Sequence, residues 1–418
     1  MAWFRLPCLI GMKITIVYRY FWPDTPPYAT MLRDMSEWFV SAGHEVEVIT
    51  AQPAYKPKAG IPTQPRREMI NGVNIRRVRL FKERGVGLIK AINAGLFVIS
   101  AFLILLFGKK RDLIWTATIP PVLQAFAMMI VSKIRGSKFL YHMQDIYPEI
   151  ATVSGHISKL FPVKLFRWLD CITQRQSEAI VVLSDDMKGA IRTRGVDVKN
   201  VSVINNFTLV LNDEAVDTLA RAPVDDEPVR FIFAGNVGRF QNLTALVDAF
   251  ATIPGNEAIL KIVGDGRAKV DLMAHVQESS INNVFFLDHM SVDDAFQELC
   301  KSHVGVVSLS PNIFQYAFPS KVLTYMAANL PLLAMVENES ALAKMLKQRE
   351  LGSNVAWSCT PKEIEAEIRS LVGATKIANM NPAKAIDVYH PNSARDKWLS
   401  LLKKLSLESL PMSDRYKA

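Results

Sequence analysis

Four short stretches of the 418-residue chain carry residue types at spacings that could do chemistry. In "FPSKVLTYMAANL", Ser320 and Lys321 follow Pro319 at the start of a small, apolar helical run. Serine is a favoured N-cap, and a helix N-terminus attracts anions. Lys321 in that first turn has the wrong sign for the helix dipole, so its position points to a negative group above it. "FIFAGNVGRFQNL" sets Gly235, Asn236, Gly238 and Arg239 between a strand and a helix. Glycines there allow close backbone approach, and an arginine can fork onto a phosphate. "VGDG" adds Gly264, Asp265 and Gly266 at another strand end. Together the three loops could surround a diphosphate; singly, each also reads as an ordinary turn or capped helix with exposed side chains. In the fourth stretch, "YHMQDIYPEI", His142, Gln144, Asp145 and Glu149 follow a strand. A histidine and two carboxylates at a strand end can hydrogen-bond sugar hydroxyls or tune a leaving proton. The plainer alternatives are a satisfied buried histidine, a capping aspartate and a helix-start glutamate.

The elements that must position these loops alternate strand and helix. From Met12, "KITIVYR", an amphipathic helix closed by Gly43, and "HEVEVITA" open a parallel α/β sheet. A dinucleotide-binding unit would show GxGxxG after the first strand; the loop "YRYFWPDTPPYATM" has no glycine, which argues against NAD or FAD on this side. Residues 12–205 read as one Rossmann-like domain, and the acidic, proline-containing stretch 206–228 as a linker. Residues 229–385 read as a second such domain. Residues 386–418 carry a final helix expected to pack back across the domains, and 1–11 form a tail. Two doubly wound domains facing one another leave a cleft at the carboxyl ends of their sheets, where ligands bind.

Charge is divided between the halves. Up to Asn205 there are 28 Lys and Arg against 15 Asp and Glu; the remainder carries 21 against 25. The basic half suits a polyanion, either nucleic acid or an anionic membrane face, and no zinc-finger, basic recognition-helix or aromatic-basic RNA pattern accompanies it. Ala91 to Phe107 is a charge-free run of 17 residues flanked by Lys90 and Lys109 to Arg111. It is short for a span and lies between strand-like runs, so it reads either as a buried core helix or, being apolar nearly all round, as one that rests on a membrane beside a basic surface. The four cysteines are scattered, with no CxxC pair or metal spacing, which predicts reduced thiols and no zinc.

In order and spacing, "KITIVYRYFWP", "GHEVEVIT", "HMQDIYPE", "LSDDMKGAIRTRGV", "VSVINN", "FAGNVGRFQNL", "IVGDG" and "FPSKVLTYMAANLPLLA" resemble the retaining glycosyltransferases of family 4. These have the GT-B fold, and the likeness is nearest to the group that builds bacterial O-antigen, capsule and colanic-acid-like polysaccharides. The resemblance implies a metal-independent enzyme without cofactor. Its second domain would hold a UDP- or GDP-sugar, with Arg239 and Lys321 near the diphosphate and Gly235 and Asn236 lining the approach. Gly264 and Asp265 would lie near base and ribose, and Ser320, Gln241 and Thr324 would complete the donor side. His142 and Asp145 would be catalytic, with Glu149 and Asp24 on the acceptor side. The acceptor would be a lipid-linked saccharide at the anionic inner face of the cell membrane, in the cytoplasm, with no nucleic acid involved. Three departures stand out. Relatives carry two glutamates where this chain has Tyr316 and Thr324; Gln241 or Asn242 replaces a frequent basic residue; and "DTPPYA" replaces a glycine-rich first loop. A sugar-nucleotide epimerase or hydrolase of the same fold, and a non-catalytic membrane scaffold, are the alternative readings.

Overall fold

A computed structural model describes residues 11–24, 26–54, 63–82, 87–154, 160–209, 227–238, 241–288, 290–376 and 389–407. The chain divides into two compact units. One comprises residues up to Asn206 together with the segment from Asn392; the other is Phe207–Pro391.

The first unit contains β1 (Lys13–Val17), α1 (Pro27–Ser41), β2 (Glu45–Ala51), β3 (Arg67–Ile70), β4 (Val73–Val78), α2 (Gly87–Phe107), β5 (Leu113–Ala117) and α3 (Leu123–Arg135). It continues with β6 (Lys138–Met143), α4 (Glu149–Val153), α5 (Leu160–Arg175), β7 (Ala179–Val182), α6 (Asp185–Thr193) and β8 (Val201–Val203). The eight-stranded sheet has the order β3-β4-β2-β1-β5-β6-β7-β8. Strands such as β5 are buried at every position, as expected where helices cover both faces of a parallel sheet. One strand departs from the expected all-parallel reading. The basic run before β4 folds back as β3, antiparallel to β4, through Asn71 and Gly72 at φ 48° and 81°. Two consecutive positive φ values give the tight hairpin turn that Asn-Gly favours.

The second unit contains β9 (Val229–Ala234), α7 (Leu243–Ala251), β10 (Ala258–Val263), α8 (Lys269–Glu278), β11 (Val284–Leu287), α9 (Val292–Cys300), β12 (Val304–Ser308) and α10 (Lys321–Ala327). After these come β13 (Leu332–Met335), α11 (Ala341–Arg349), β14 (Gly352–Val355) and α12 (Pro361–Lys376). Its six-stranded parallel sheet is ordered β11-β10-β9-β12-β13-β14. Phe231 and Phe233 of β9 are fully buried, with Phe250 of α7 edge-on to Phe231 at 5.4 Å.

The last described helix, α13 (Pro391–Leu407), belongs to the first unit. Its Trp398 stacks on Trp115 of β5 at 4.5 Å and lies 4.9 Å from the His142 ring. At its far end Lys138 Nζ donates to the Leu405 carbonyl. The expected tail 1–11 and most of the expected linker lie outside the described residues.

Candidate active site

In the second unit, the carboxyl ends of the central strands carry two glycine loops and Lys321. The loop after β9 continues to pair with the loop after β10. Gly235 N–H donates to the Val263 carbonyl at 2.9 Å, and Val237 N–H to that of Asp265 at 2.9 Å. This zipper explains Gly264, at φ +127°. A Cβ there would stand 2.2 Å from the Gly235 oxygen, so the glycine serves backbone packing against backbone. Gly235, at φ +131°, makes room for a side chain instead: an added Cβ would meet Lys321 Cε at 2.8 Å.

Lys321 lies across that gap. Its Nζ sits 3.6 Å from the centre of the Phe233 ring, is buried, and has no hydrogen-bond partner among the described residues. Burial without a counter-charge lowers its pKa to about 7. A buried cation held only by a ring face is poised to gain from any anion that reaches it. Tyr325, one turn on, fixes the rest: its Oη accepts the Ala234 N–H at 2.8 Å, and its ring packs against Gly305. Neither Phe233 nor Tyr325 stood out in the sequence. The only signal was the spacing of four that places Tyr325 above Lys321 on one helix face.

The other expected donor residues divide. Gln241 Oε1 accepts the Gly238 N–H at 3.2 Å, closing the loop on itself. Asn236, Asp265 and Thr324 are exposed. Ser320 departs from expectation: it has helical dihedrals (φ −58°, ψ −23°), and its hydroxyl makes no capping bond. A side chain on helical backbone points away from the N–H groups it would cap. Arg239 lies outside the described residues.

In the first unit His142 is 1% exposed and surrounded by Tyr28, Trp115 and Trp398. Its Nδ1 is 2.8 Å from Tyr28 Oη and its Nε2 2.9 Å from Gln144 Nε2. Gln144 in turn accepts from Asn206 Nδ2 at 2.7 Å. Burial pushes the imidazole pKa down to about 3. It is therefore held in the neutral form near pH 7, hydrogen-bonded on both ring nitrogens to Tyr28 and Gln144. Asp145 is half-buried, its carboxylate makes no hydrogen bond or ion pair among the described residues, and its pKa is raised by burial to about 6. A carboxylate so placed is available to a ligand hydroxyl.

The two residues expected on the acceptor side, Glu149 and Asp24, have partners within the scaffold. Glu149 is engaged by Arg194, whose Nε donates to Oε1 at 3.1 Å and whose second arm reaches Oε2. The same guanidinium grips buried Asp170 at 2.5 Å and the Tyr147 carbonyl at 2.8 Å. Asp170 also accepts from Tyr141 Oη at 3.0 Å. Glu149 thus belongs to a buried ion network that pins the loop after β6 to α5. Asp24 is 3% exposed; its Oδ1 accepts the Ala54 N–H at 3.0 Å and ties the first βα loop to the segment after β2. Both carboxylates serve the scaffold.

Among the described residues no group of three or more His, Cys, Asp or Glu side chains converges to hold a metal. Cys171, Cys300 and Cys359 are free thiols.

Comparison with known proteins agrees with this architecture. Residues 28–206 match the glycosyl transferase 4-like domain, and residues 228–373 match glycosyl transferases group 1. The chain is 23% identical over 264 residues to WbjE of Pseudomonas aeruginosa, which is assigned as a glycosyltransferase. That match covers 61% of this chain and 64% of the relative, just under two thirds of its length. Over 396 residues the chain is 22% identical to WcaI of Escherichia coli K12, assigned as a colanic acid biosynthesis glycosyl transferase; 88% and 94% of the two chains are covered. Among solved structures, Anabaena HepE in complex with UDP superposes with a TM-score of 0.64 at 15% identity, covering 94% of this chain and 100% of that one. The lipopolysaccharide outer core galactosyltransferase WaaB gives 0.64 at 14% identity, covering 94% and 99%. With two family matches in tandem and a paired Rossmann-like scaffold beneath them, the chain belongs to the glycosyltransferases and has the GT-B fold.

Proposed function

We propose that the chain transfers a sugar from a nucleotide-diphosphate sugar to a lipid-linked saccharide, with retention at the anomeric carbon, in bacterial surface-polysaccharide synthesis. The observation that carries the donor half is Lys321: a buried ammonium without counter-charge, laid over Gly235 at the carboxyl edge of the second sheet. A diphosphate arriving there supplies the missing charge, and the same lysine stabilises the negative charge that develops as the sugar–phosphate bond breaks. The acceptor hydroxyl then forms the new glycosidic bond, and its proton passes to the departing phosphate oxygen. Asp145, with its carboxylate unpartnered, would orient the acceptor, and the His142–Gln144 pair would hold that loop. No metal is required in this scheme, because lysine and loop arginine carry the charge.

Two likenesses support the reading. HepE has been solved with UDP and with UDP-glucose, and WcaI is assigned to colanic acid biosynthesis. The lipid-linked acceptor and attachment to the inner, anionic membrane face rest on α2. By length and composition this 21-residue helix could cross a bilayer, and only 22% of its most apolar 18-residue window is buried. That exposure suits a helix lying on a membrane.

A thermal-shift series with UDP, GDP and their sugars, each with and without a chelator, tests the donor assignment. One nucleotide class should raise the melting point at concentrations well above its Kd, with no effect of chelator. No shift with any nucleotide diphosphate would overturn it.

A further inference from the structure

A second cationic site lies in the first unit, on elements that the sugar-transfer reading does not use. Arg67 of β3 and Arg76 of β4 are direct cross-strand partners. Like charges set opposite one another in a ladder are unfavourable. Burial and then the Arg67 charge lower the Arg76 pKa, with smaller contributions from Arg111 and Arg66 in the same direction and Glu47 opposing. The carboxylates nearby are already engaged. Glu68 pairs with Arg77, and Glu45 and Glu47 pair with Arg111. Arg66, Arg67, Arg76 and Arg79 make no side-chain hydrogen bond or ion pair among the described residues. They face two adjoining open cavities of about 770 Å³ and 710 Å³ that share Arg67, Arg76 and Ile104.

The far wall of these cavities is α2. Its Asn93, Phe97, Ala101 and Leu105 are buried, and a stripe from Leu88 through Ile92, Leu96, Ile99 and Leu103 to Phe107 is exposed. The exposure is substantial: 57% at Ile99, 46% at Leu103 and 81% at Phe107. Phe107 also lines the larger cavity, so the apolar stripe and the arginine pocket share a rim. A soluble anion has no use for such a stripe. A bilayer surface presents phosphate and hydrocarbon side by side, and guanidinium groups fork onto phosphate oxygens.

We propose that the cavity between the β3–β4 hairpin and α2 binds the phosphate headgroup of an anionic phospholipid while the apolar stripe of α2 lies in the bilayer surface. This rests on the membrane-face part of the proposed function and gives it a specific site. Arg67 and Arg76 straddle the phosphate, Arg66 and Arg79 extend the charged wall, and Phe107 and Ile104 mark the boundary with hydrocarbon.

The test is co-sedimentation of the full chain with phosphatidylcholine vesicles, with and without phosphatidylglycerol. Wild type should pellet with the anionic vesicles. Each arginine at an anionic surface is worth about fivefold in partitioning, so Arg67→Gln with Arg76→Gln should weaken binding about 30-fold. Arg66→Gln with Arg79→Gln should act in the same direction and guards against a fold defect in the first pair. Lys344→Gln with Lys347→Gln removes the same charge from exposed positions on α11 and should leave binding unchanged. If wild type pellets and both arginine pairs pellet equally well, the headgroup site is wrong while membrane attachment stands. An equal loss in the lysine control also overturns the site, because net charge alone would then explain binding. If wild type ignores every vesicle, membrane attachment itself falls and the site with it. Tighter binding to an oligonucleotide than to anionic vesicles would assign the surface to nucleic acid and overturn the proposal.

Discussion

Replacing Lys321 by methionine separates what the ammonium does for the fold from what it does for a ligand. Nζ is buried and rests on the Phe233 ring with no hydrogen-bond partner among the described residues, so desolvation holds its pKa at about 7. The distance from an ordinary lysine corresponds to about 5 kcal/mol against the charged form. Between pH 7 and about 10.5 the folded chain binds fewer protons at this site than the unfolded chain, so stability rises with pH across that window. Below pH 7 both states carry the proton and the folded state bears the whole cost. Lys321→Met should therefore be more stable than wild type at neutral pH, by up to about 5 kcal/mol less the lost cation–π contact. The advantage should vanish by about pH 10.5. A diphosphate reverses the sign, since the protonated lysine binds it. At pH 7 half of the sites hold the proton, and at pH 8.5 about one in thirty, so UDP affinity should fall about 15-fold across that interval. Titration calorimetry in two buffers of different ionisation heat should read about half a proton taken up per UDP at pH 7 and nearly one at pH 8.5. Lys321→Met should bind UDP at least about tenfold more weakly. Constant affinity from pH 7 to 8.5 without proton uptake would refute the argument, whatever the mutant does.

Arg194→Met leaves fully buried Asp170 without an ion pair and Glu149 with only the half-exposed Arg167 at 3.5 Å, and should cost about 3–5 kcal/mol in urea denaturation. A loss below 1 kcal/mol, as for a surface pair, would contradict the buried network. Gly264→Ala drives a Cβ to 2.2 Å from the Gly235 oxygen at a φ of +127°, and should lower stability by about 2 kcal/mol or more while weakening UDP binding; normal melting would show that the two loops separate easily. Serine at Leu96, Ile99 and Leu103 removes exposed apolar surface, so vesicle pelleting should drop with the melting point within about 2 °C of wild type. Unchanged pelleting of the folded variant would count against peripheral docking through α2.

The strand–helix alternation was legible because buried strands such as KITIV and AILKIV are runs rich in β-branched and aliphatic residues, and because residues such as Gly136 mark helix ends. β3 was not read. "REMI" is four residues with charges among them, too short to show a period, and the Asn71-Gly72 turn that creates the hairpin was the available signal. The contact of Trp398 with Trp115 joins residues far apart in the chain, and no local pattern encodes it. Gly264 was read as an opening for a ligand because sequence cannot say what approaches a glycine; here it is another backbone.

One physical reason separates the charged residues that have partners from those that do not. Sequence names the groups that can be charged, and only the fold decides which of them meet a partner. Glu149 looked like Asp145 in the same loop, yet Arg194 neutralises one and leaves the other without an ion pair among the described residues. Arg77 and Arg76 are adjacent, yet Glu68 satisfies the first while the second faces Arg67. Lys321 reads from the sequence either as an exposed first-turn cation or as one set beneath a negative group; in the fold its Nζ lies over Phe233, where little water would compete with an anion. A folded chain that leaves Lys321, Asp145, Arg67 and Arg76 without ion pairs carries an electrostatic cost that ligands can relieve. The two proposed cationic sites, Lys321 on the helix beside the second sheet and the Arg67–Arg76 pair in the first, would then take two different anions: a soluble diphosphate at the buried lysine, and a surface-bound phosphate at the open arginines.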